Sequence, residues 1–283
     1  MKTWIFEEYL SLPFVLYKMY RENVKETSGI LRHKIQFGED EYQYALVFRP
    51  EKAISPKRNT VFFIHGGGWA AGSPEGFAFV GKYFAKRGFN AVLGGYRHAP
   101  QYKYPAQLED VYKALVIGMA FLKEHNAATD RIVTIGQSAG AQLAALLALD
   151  VEKAAANGID PGIFSALILI SGPVDFSTCD AKQINLGLHG FLRSKEAYAE
   201  ADPIKLADSR SGLPVLCIHG GKDSIVDIRN SINFYSRLKG GSEEISKLVI
   251  AENKHHIDLL EMFMKSTEET EALTDFMNKI EKM

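Results

Sequence analysis

The sequence predicts an α/β fold: a mostly parallel central sheet opened by an antiparallel hairpin, helices on both faces, and a short cap insertion. Three observations carry that prediction. From residue 60 onward, short β-branched or aromatic runs alternate with longer helical stretches, the rhythm of crossover-connected parallel strands. The run Ala166-Leu167-Ile168-Leu169-Ile170 has no polar face, as expected of a strand covered on both sides. Finally, Gly136-Gln137-Ser138-Ala139-Gly140 sits between a strand pattern and a helix pattern.

Taken in order, residues 31–36 and 42–49 read as two strands with Gly38-Glu39-Asp40 as the turn between them. Val61 to Ile64 reads as a strand, Phe77 to Arg87 as a helix, and Ala91 to Gly94 as a strand. Ala106 to Leu122 is a longer helix. Arg131 to Ile135 is β-branched and short, and the Ala/Leu-rich stretch from Ala141 to Leu149 suits only a helix. Val215 to His219 and Leu248 to Ile250 supply the last strands, with a helix from Ile228 to Lys239 between them. Ser266-Thr267-Glu268-Glu269 has the form of a capping box and opens a final helix, with Leu273, Phe276, Met277 and Ile280 on one face. Residues 173–213 break the rhythm. They leave one strand end and return at the next, where loops of open α/β sheets meet ligands, and so are expected to form the cap insertion.

Composition argues for one domain spanning 1–283, with residues 1–30 as a helical segment laid over the core. Hydrophobic residues make up 46% and charged residues 24% of the chain, an ordinary balance for a sizeable core. The net charge is −1 and no Lys/Arg cluster forms an electrostatic footprint, which argues against nucleic acid as a partner. Glu7, Glu8, Pro13 and Lys18 interrupt the apolar N-terminal stretch, so stable membrane insertion is not expected. Nor does that stretch carry the charge pattern and small-residue site of a signal peptide. Of the two cysteines, Cys217 lies inside an apolar strand and reads as a small core hydrophobe. The expected address is the cytoplasm. A homodimer is left open.

A glycine–serine–glycine junction between strand and helix lets a serine sit exposed on a strained turn, poised as a nucleophile. A serine hydroxyl needs a base to take its proton, and the base needs an orienting acid. Asp223 and Asp227 both follow the Cys217 strand. Asp223 lies in the loop at the strand end, and Asp227 sits where a carboxylate serves as a helix cap. Beyond them, the only histidines are His255 and His256, in the loop after the last strand. The order Ser, Asp, His is that of strand-to-helix serine nucleophiles in parallel sheets. His65-Gly66-Gly67-Gly68-Trp69 follows the Val61 strand, and its glycines let backbone N–H groups approach a developing oxyanion. His65 and His219 read as loop braces. No histidine or cysteine spacing suggests zinc, and no phosphate-loop motif occurs. No metal or organic cofactor is expected.

With these motifs the chain resembles the α/β-hydrolase superfamily, close to hormone-sensitive-lipase-like and ferulic-esterase-like bacterial carboxylesterases. The resemblance covers roughly residues 60 to 265. It rests on His65-Gly66-Gly67-Gly68-Trp69, Tyr96-Arg97-His98-Ala99-Pro100, Tyr104-Pro105-Ala106-Gln107-Leu108-Glu109-Asp110, the Ser138 junction, His219-Gly220-x-x-Asp223 and the His256 loop. It implies a serine hydrolase of small uncharged carboxylic esters, with Ser138, Asp223 and His256 catalytic. It implies oxyanion donors at Gly67, Gly68 and Ala139. The segment His256-Ile257-Asp258-Leu259-Leu260-Glu261 is similar to the ending of formamidase-like relatives, which favours His256 over His255. Gln137 stands where the lipase-like branch usually has Asp, and the insertion is short. An amidase or arylformamidase with the same triad is the alternative, and a non-catalytic binding protein a third reading. Trp69, Leu186, Leu188, Phe191 and Leu192 are the expected pocket walls.

Overall fold

The computed structural model describes residues 4–52, 59–179, 182–238 and 245–283. The chain opens with helix α1 (Trp4–Val24), then an antiparallel hairpin of β1 (Ile30–Gln36) and β2 (Tyr44–Pro50). The alternating part runs β3 (Thr60–Ile64), α2 (Ala78–Ala85), β4 (Asn90–Gly94), α3 (Ala106–Glu124) and β5 (Ile132–Gln137). It continues through α4 (Ala139–Leu149), α5 (Val151–Ala156), β6 (Phe164–Ile170), α6 (Lys182–Phe191) and α7 (Lys195–Glu200). β7 (Val215–Gly220), α8 (Arg229–Arg237), β8 (Lys247–Ala251) and α9 (Glu268–Lys282) complete the chain. The eight strands form one sheet in the order β1-β2-β4-β3-β5-β6-β7-β8. β2 runs antiparallel to β4, and all pairs from β4 to β8 are parallel. No helix among the described residues is long and apolar enough to cross a membrane.

Strand alternation builds two cores. Phe62, Ile64, Leu167 and Leu169 face the layer of α3, α4 and α8, while Val61, Phe63, Ile168 and Leu216 face α1, α2 and α9. A strand buried on both faces therefore reads as an unbroken apolar run. All eleven residues of α4 are buried, which is why Ala and Leu dominate a helix at the middle of the sheet.

Three expectations need correction. A 3₁₀ turn, Pro74–Phe77, capped by the Ser73 hydroxyl, takes up the start of the predicted Phe77 helix, and α2 ends before Gly88, whose φ of 87° suits glycine. The capping box of α9 sits one residue later than predicted: Thr267 accepts from the Thr270 N–H while Thr270 Oγ1 accepts from the Thr267 N–H. The short helix α5 was not expected; the Asp150 carboxylate caps it by accepting from Lys153 N. The helix end expected at Lys239 lies outside the described residues.

The Arg97 and Asp110 motif is structural. Asp110 is fully buried and accepts from Arg97 Nε at 2.7 Å, Arg97 Nη2 at 2.9 Å, Arg97 N at 3.0 Å and Gln43 Nε2 at 2.8 Å. The pair ties the β4 exit to the second turn of α3 and, through Gln43, to the segment that leads into β2. Asp110→Ala strands the Arg97 fork and the Gln43 amide, so it should cost roughly 3–5 kcal/mol in urea unfolding. A loss under about 1 kcal/mol would mean the network behaves as a solvated surface pair.

Candidate active site

The Ser138 turn comes from packing that only glycine allows. Ser138 has φ 53° and ψ −125°, a strained backbone state for a non-glycine residue. A Cβ on Gly136 would lie 2.2 Å from Gly140 O, and one on Gly140 would lie 2.2 Å from Ile64 O. The junction is thus pressed against the end of β3. Its position is fixed by Ser138 N donating to Ile170 O at 2.8 Å.

Ser138 Oγ lies 2.8 Å from His256 Nε2, and His256 Nδ1 lies 2.7 Å from Asp223 Oδ2. The Asp223 carboxylate is held from two more sides. Oδ1 accepts from Ile225 N at 2.9 Å and Val226 N at 2.8 Å, and His219 Nε2 stands 3.3 Å from Oδ2. His219 is itself fixed between Ser231 Oγ and Val226 O, so this expected loop brace also braces the Asp223 carboxylate. Burial alone would raise the Asp223 pKa, but the His256 and His219 contacts override it and hold the carboxyl far below its usual range. Burial pushes the His256 imidazole down, and the Asp223 charge and hydrogen bond, with a smaller contribution from Glu8, more than reverse this. Its pKa therefore lies above that of a free histidine.

The competing residues fall elsewhere. His255 Nδ1 lies 2.9 Å from Asp258 Oδ2, which also accepts from His255 N, so this imidazole braces its own loop. Asp227 accepts from Arg229 N and pairs with the Arg229 guanidinium just ahead of α8, but Ile228 rather than Asp227 holds the N-cap position, so the expected capping role is corrected. Burial holds His65 down at about 4, and the neutral ring stacks on Tyr96 at 4.4 Å. Cys217, buried in β7, has its thiol pushed up to about 12 by burial and is inert.

Gly67 and Gly68 flank the serine with φ of 128° and 61°. A Cβ on Gly67 would meet Ala71 O at 2.0 Å, whereas one on Gly68 would meet nothing within 4 Å. Gly67 is thus required by packing and Gly68 by backbone conformation. Ala139 opens α4, so its N–H has no partner inside the helix and sits at the positive end of the helix dipole.

A cleft of about 540 Å³ opens over Ser138. Its walls differ from those expected. Trp69 lines the cleft as expected, its indole N–H donating to Gln142 Oε1 at 3.0 Å. Leu188, Phe191 and Leu192 do not line the cleft; they are buried in the core, with Phe191 stacked on Trp69 at 4.5 Å. The Leu186 side chain lies outside the described residues. Of the insertion, Gly187 alone is among the lining residues described. The missing wall is α1, which contributes Leu16, Met19 and Tyr20, facing Phe77 and Leu260. Leu16 and Tyr20 were legible as apolar, but an apolar helix gives no sign of where it docks.

Residues 47–238 match the BD-FAE family, which is ferulic-esterase-like within the α/β hydrolases. The chain belongs to that family. The BD-FAE match takes in Ser138 and Asp223 and stops before the His256 loop. Esterase LipC of Mycobacterium tuberculosis is 25% identical over 92% of this chain and 69% of its own length. A probable carboxylic ester hydrolase of the same organism, LipM, is 26% identical over 75% of this chain, which spans only 52% of it. Arylacetamide deacetylase of Oryctolagus cuniculus is 36% identical over 112 residues, 38% of this chain and 28% of that protein. Among solved structures, inhibited esterase B from Lactobacillus rhamnosis superposes with a TM-score of 0.78 over 99% of this BD-FAE chain and 96% of its own, at 18% identity. A hyperthermophilic esterase from Pyrobaculum calidifontis gives 0.74 over 98% and 93%, at 21% identity. These structural likenesses establish the α/β-hydrolase fold.

Proposed function

We propose that this BD-FAE chain is a carboxylesterase-type serine hydrolase that cleaves small uncharged carboxylic esters through an acyl-enzyme. One observation carries the reading: the continuous hydrogen-bonded line Ser138–His256–Asp223, 2.8 and 2.7 Å, opening on an apolar cleft. Ser138 Oγ attacks the acyl carbon as its proton passes to His256 Nε2. The N–H groups of Gly67, Gly68 and Ala139 receive the oxyanion. Collapse expels the alcohol, which takes the proton from His256, and water repeats the sequence to release the acid. Asp223 holds the imidazole with Nδ1 protonated throughout. No Lys, Arg, Asp or Glu is among the described lining residues, which favours uncharged substrates. The reading needs no cofactor, and with both cysteines buried as free thiols we place the protein in the cytoplasm.

The partial likeness to an arylacetamide deacetylase keeps an amidase or arylformamidase reading alive, because the same machinery serves an amide carbonyl. Parallel turnover of a short p-nitrophenyl ester and a formyl-aryl amide separates the two. Absence of labelling by a fluorophosphonate probe would instead favour a non-catalytic binding protein. Along an acyl series each buried methylene contributes about 0.8 kcal/mol until the cleft is full. The kcat/KM is therefore expected to peak at roughly two to six carbons in a cleft of ordinary small-ligand size. A value still climbing at about twelve carbons would mean that the cleft opens into a groove.

A further inference from the structure

The chemistry above leaves one buried carboxylate at the site unused. Glu8, on α1, is 4% exposed. Its Oε1 accepts the backbone N–H of His256 at 2.9 Å, and its Oε2 accepts both the N–H of Ser224, at 3.0 Å, and the Ser224 hydroxyl, at 2.5 Å. Ser224 directly follows Asp223. One side chain therefore joins the loop that carries the acid to the loop that carries the base, through three charge-assisted hydrogen bonds. Among the described residues no Lys or Arg pairs with it, so those three donors compensate the burial of its charge. The same helix walls the cleft with Leu16, Met19 and Tyr20. It is pinned further along by Lys18 on Glu261 at 2.6 Å and by Asn23, which donates to Gly76 O and accepts from Phe79 N.

We propose that Glu8 is a positioning residue for hydrolysis. The N-terminal helix delivers a carboxylate that locks the Asp223 and His256 loops in register, so that seating of α1 beside the substrate and alignment of the base are one event. The proposal rests on the esterase reading. The charged groups around His256 are few. Asp223 faces it from the β7 loop with His219 behind, and Glu8 faces it from α1. On its own loop His255 is paired with Asp258 and flanked by Glu7, and Lys254 is paired with Glu261, which Lys18 and Lys265 also hold. Loss of the Glu8 charge leaves Asp223 as the one anion bonded to His256, which disfavours the imidazolium and moves its titration to lower pH.

The test uses the full chain with Glu8→Ala and the isosteric Glu8→Gln. Two readouts are needed: kcat and KM on a short ester across pH, and NMR titration of the His256 ring. Glu8→Ala should lower kcat by about 10²-fold through loop misplacement, with KM changed little. Glu8→Gln should recover much of that loss, because an amide oxygen can still accept from His256 N. In both, the rising limb of kcat/KM and the His256 titration should move to lower pH. A change confined to KM would make Glu8 a cleft wall, and an activity loss with the titration unmoved would make it merely structural. Either result overturns the proposal. Should Glu8→Ala fail to fold, Glu8→Gln decides alone. A wild-type chain without esterase activity would sink the esterase reading, and the His256 titration in Glu8→Gln would still report whether the coupling exists.

Discussion

Replacing Ser138 with alanine is expected to leave a folded protein whose kcat on a short ester is lower by about 10⁴-fold or more. The substitution removes a single oxygen from a turn held by other atoms: the close approach of Gly136 to Gly140, and the Ser138 N–H to Ile170 O bond. Alanine bears the φ of 53° no worse than serine, so unfolding free energy should stay nearly unchanged. The residual rate then reports what the Gly67, Gly68 and Ala139 donors achieve without a nucleophile. A pure sample that keeps more than about a tenth of wild-type turnover would exclude an acyl-serine mechanism.

His256→Ala should match that loss, because the serine and its base act as one unit and removal of either disables both. The paired control is His255→Ala. Its imidazole is bonded to Asp258, on its own loop, so its loss should loosen the turn and lower kcat far less. Reversed results would assign the base to His255 and contradict the 2.8 Å contact between His256 and Ser138. Because the base must be neutral, kcat/KM should rise as His256 loses its proton. With the imidazole pKa raised by the Asp223 charge, that rise is expected above the ordinary histidine value of about 6.5. A flat profile there, after the ester is shown to be stable, would count against His256.

The strands were legible because their chemistry is local. Phe62, Ile168 and Leu216 belong to runs whose alternation and length have one reasonable reading, and glycine marks the turns that follow. The errors cluster where a boundary depends on something distant. Both Ser266 and Thr267 can begin a capping box, and Thr270, which also donates to Met262 O, decides between them. Leu188 and Phe191 were expected to wall the cleft because they are apolar and lie in the insertion, but an apolar residue there is equally fit to fill the space behind Trp69.

Local sequence was enough for the parallel sheet, the strained serine turn and the short set of residues from which nucleophile, acid and base could come. Each is encoded within a few neighbouring positions, where backbone sterics and side-chain periodicity act. Packing across the fold was needed to turn His256 rather than His255 toward Ser138, to set His219 behind Asp223, and to lay α1 along the cleft with Glu8 lodged between two loops. His256 meets Ser138 and Glu8 across 118 and 248 positions, while His219, four residues before Asp223, is held toward it by Ser231 and Val226. Adjacent histidines have the same chemistry and nearly the same sequence context. What separates them is which one the packed loop turns toward the serine, and that is set by burial and hydrogen-bond satisfaction across the whole fold.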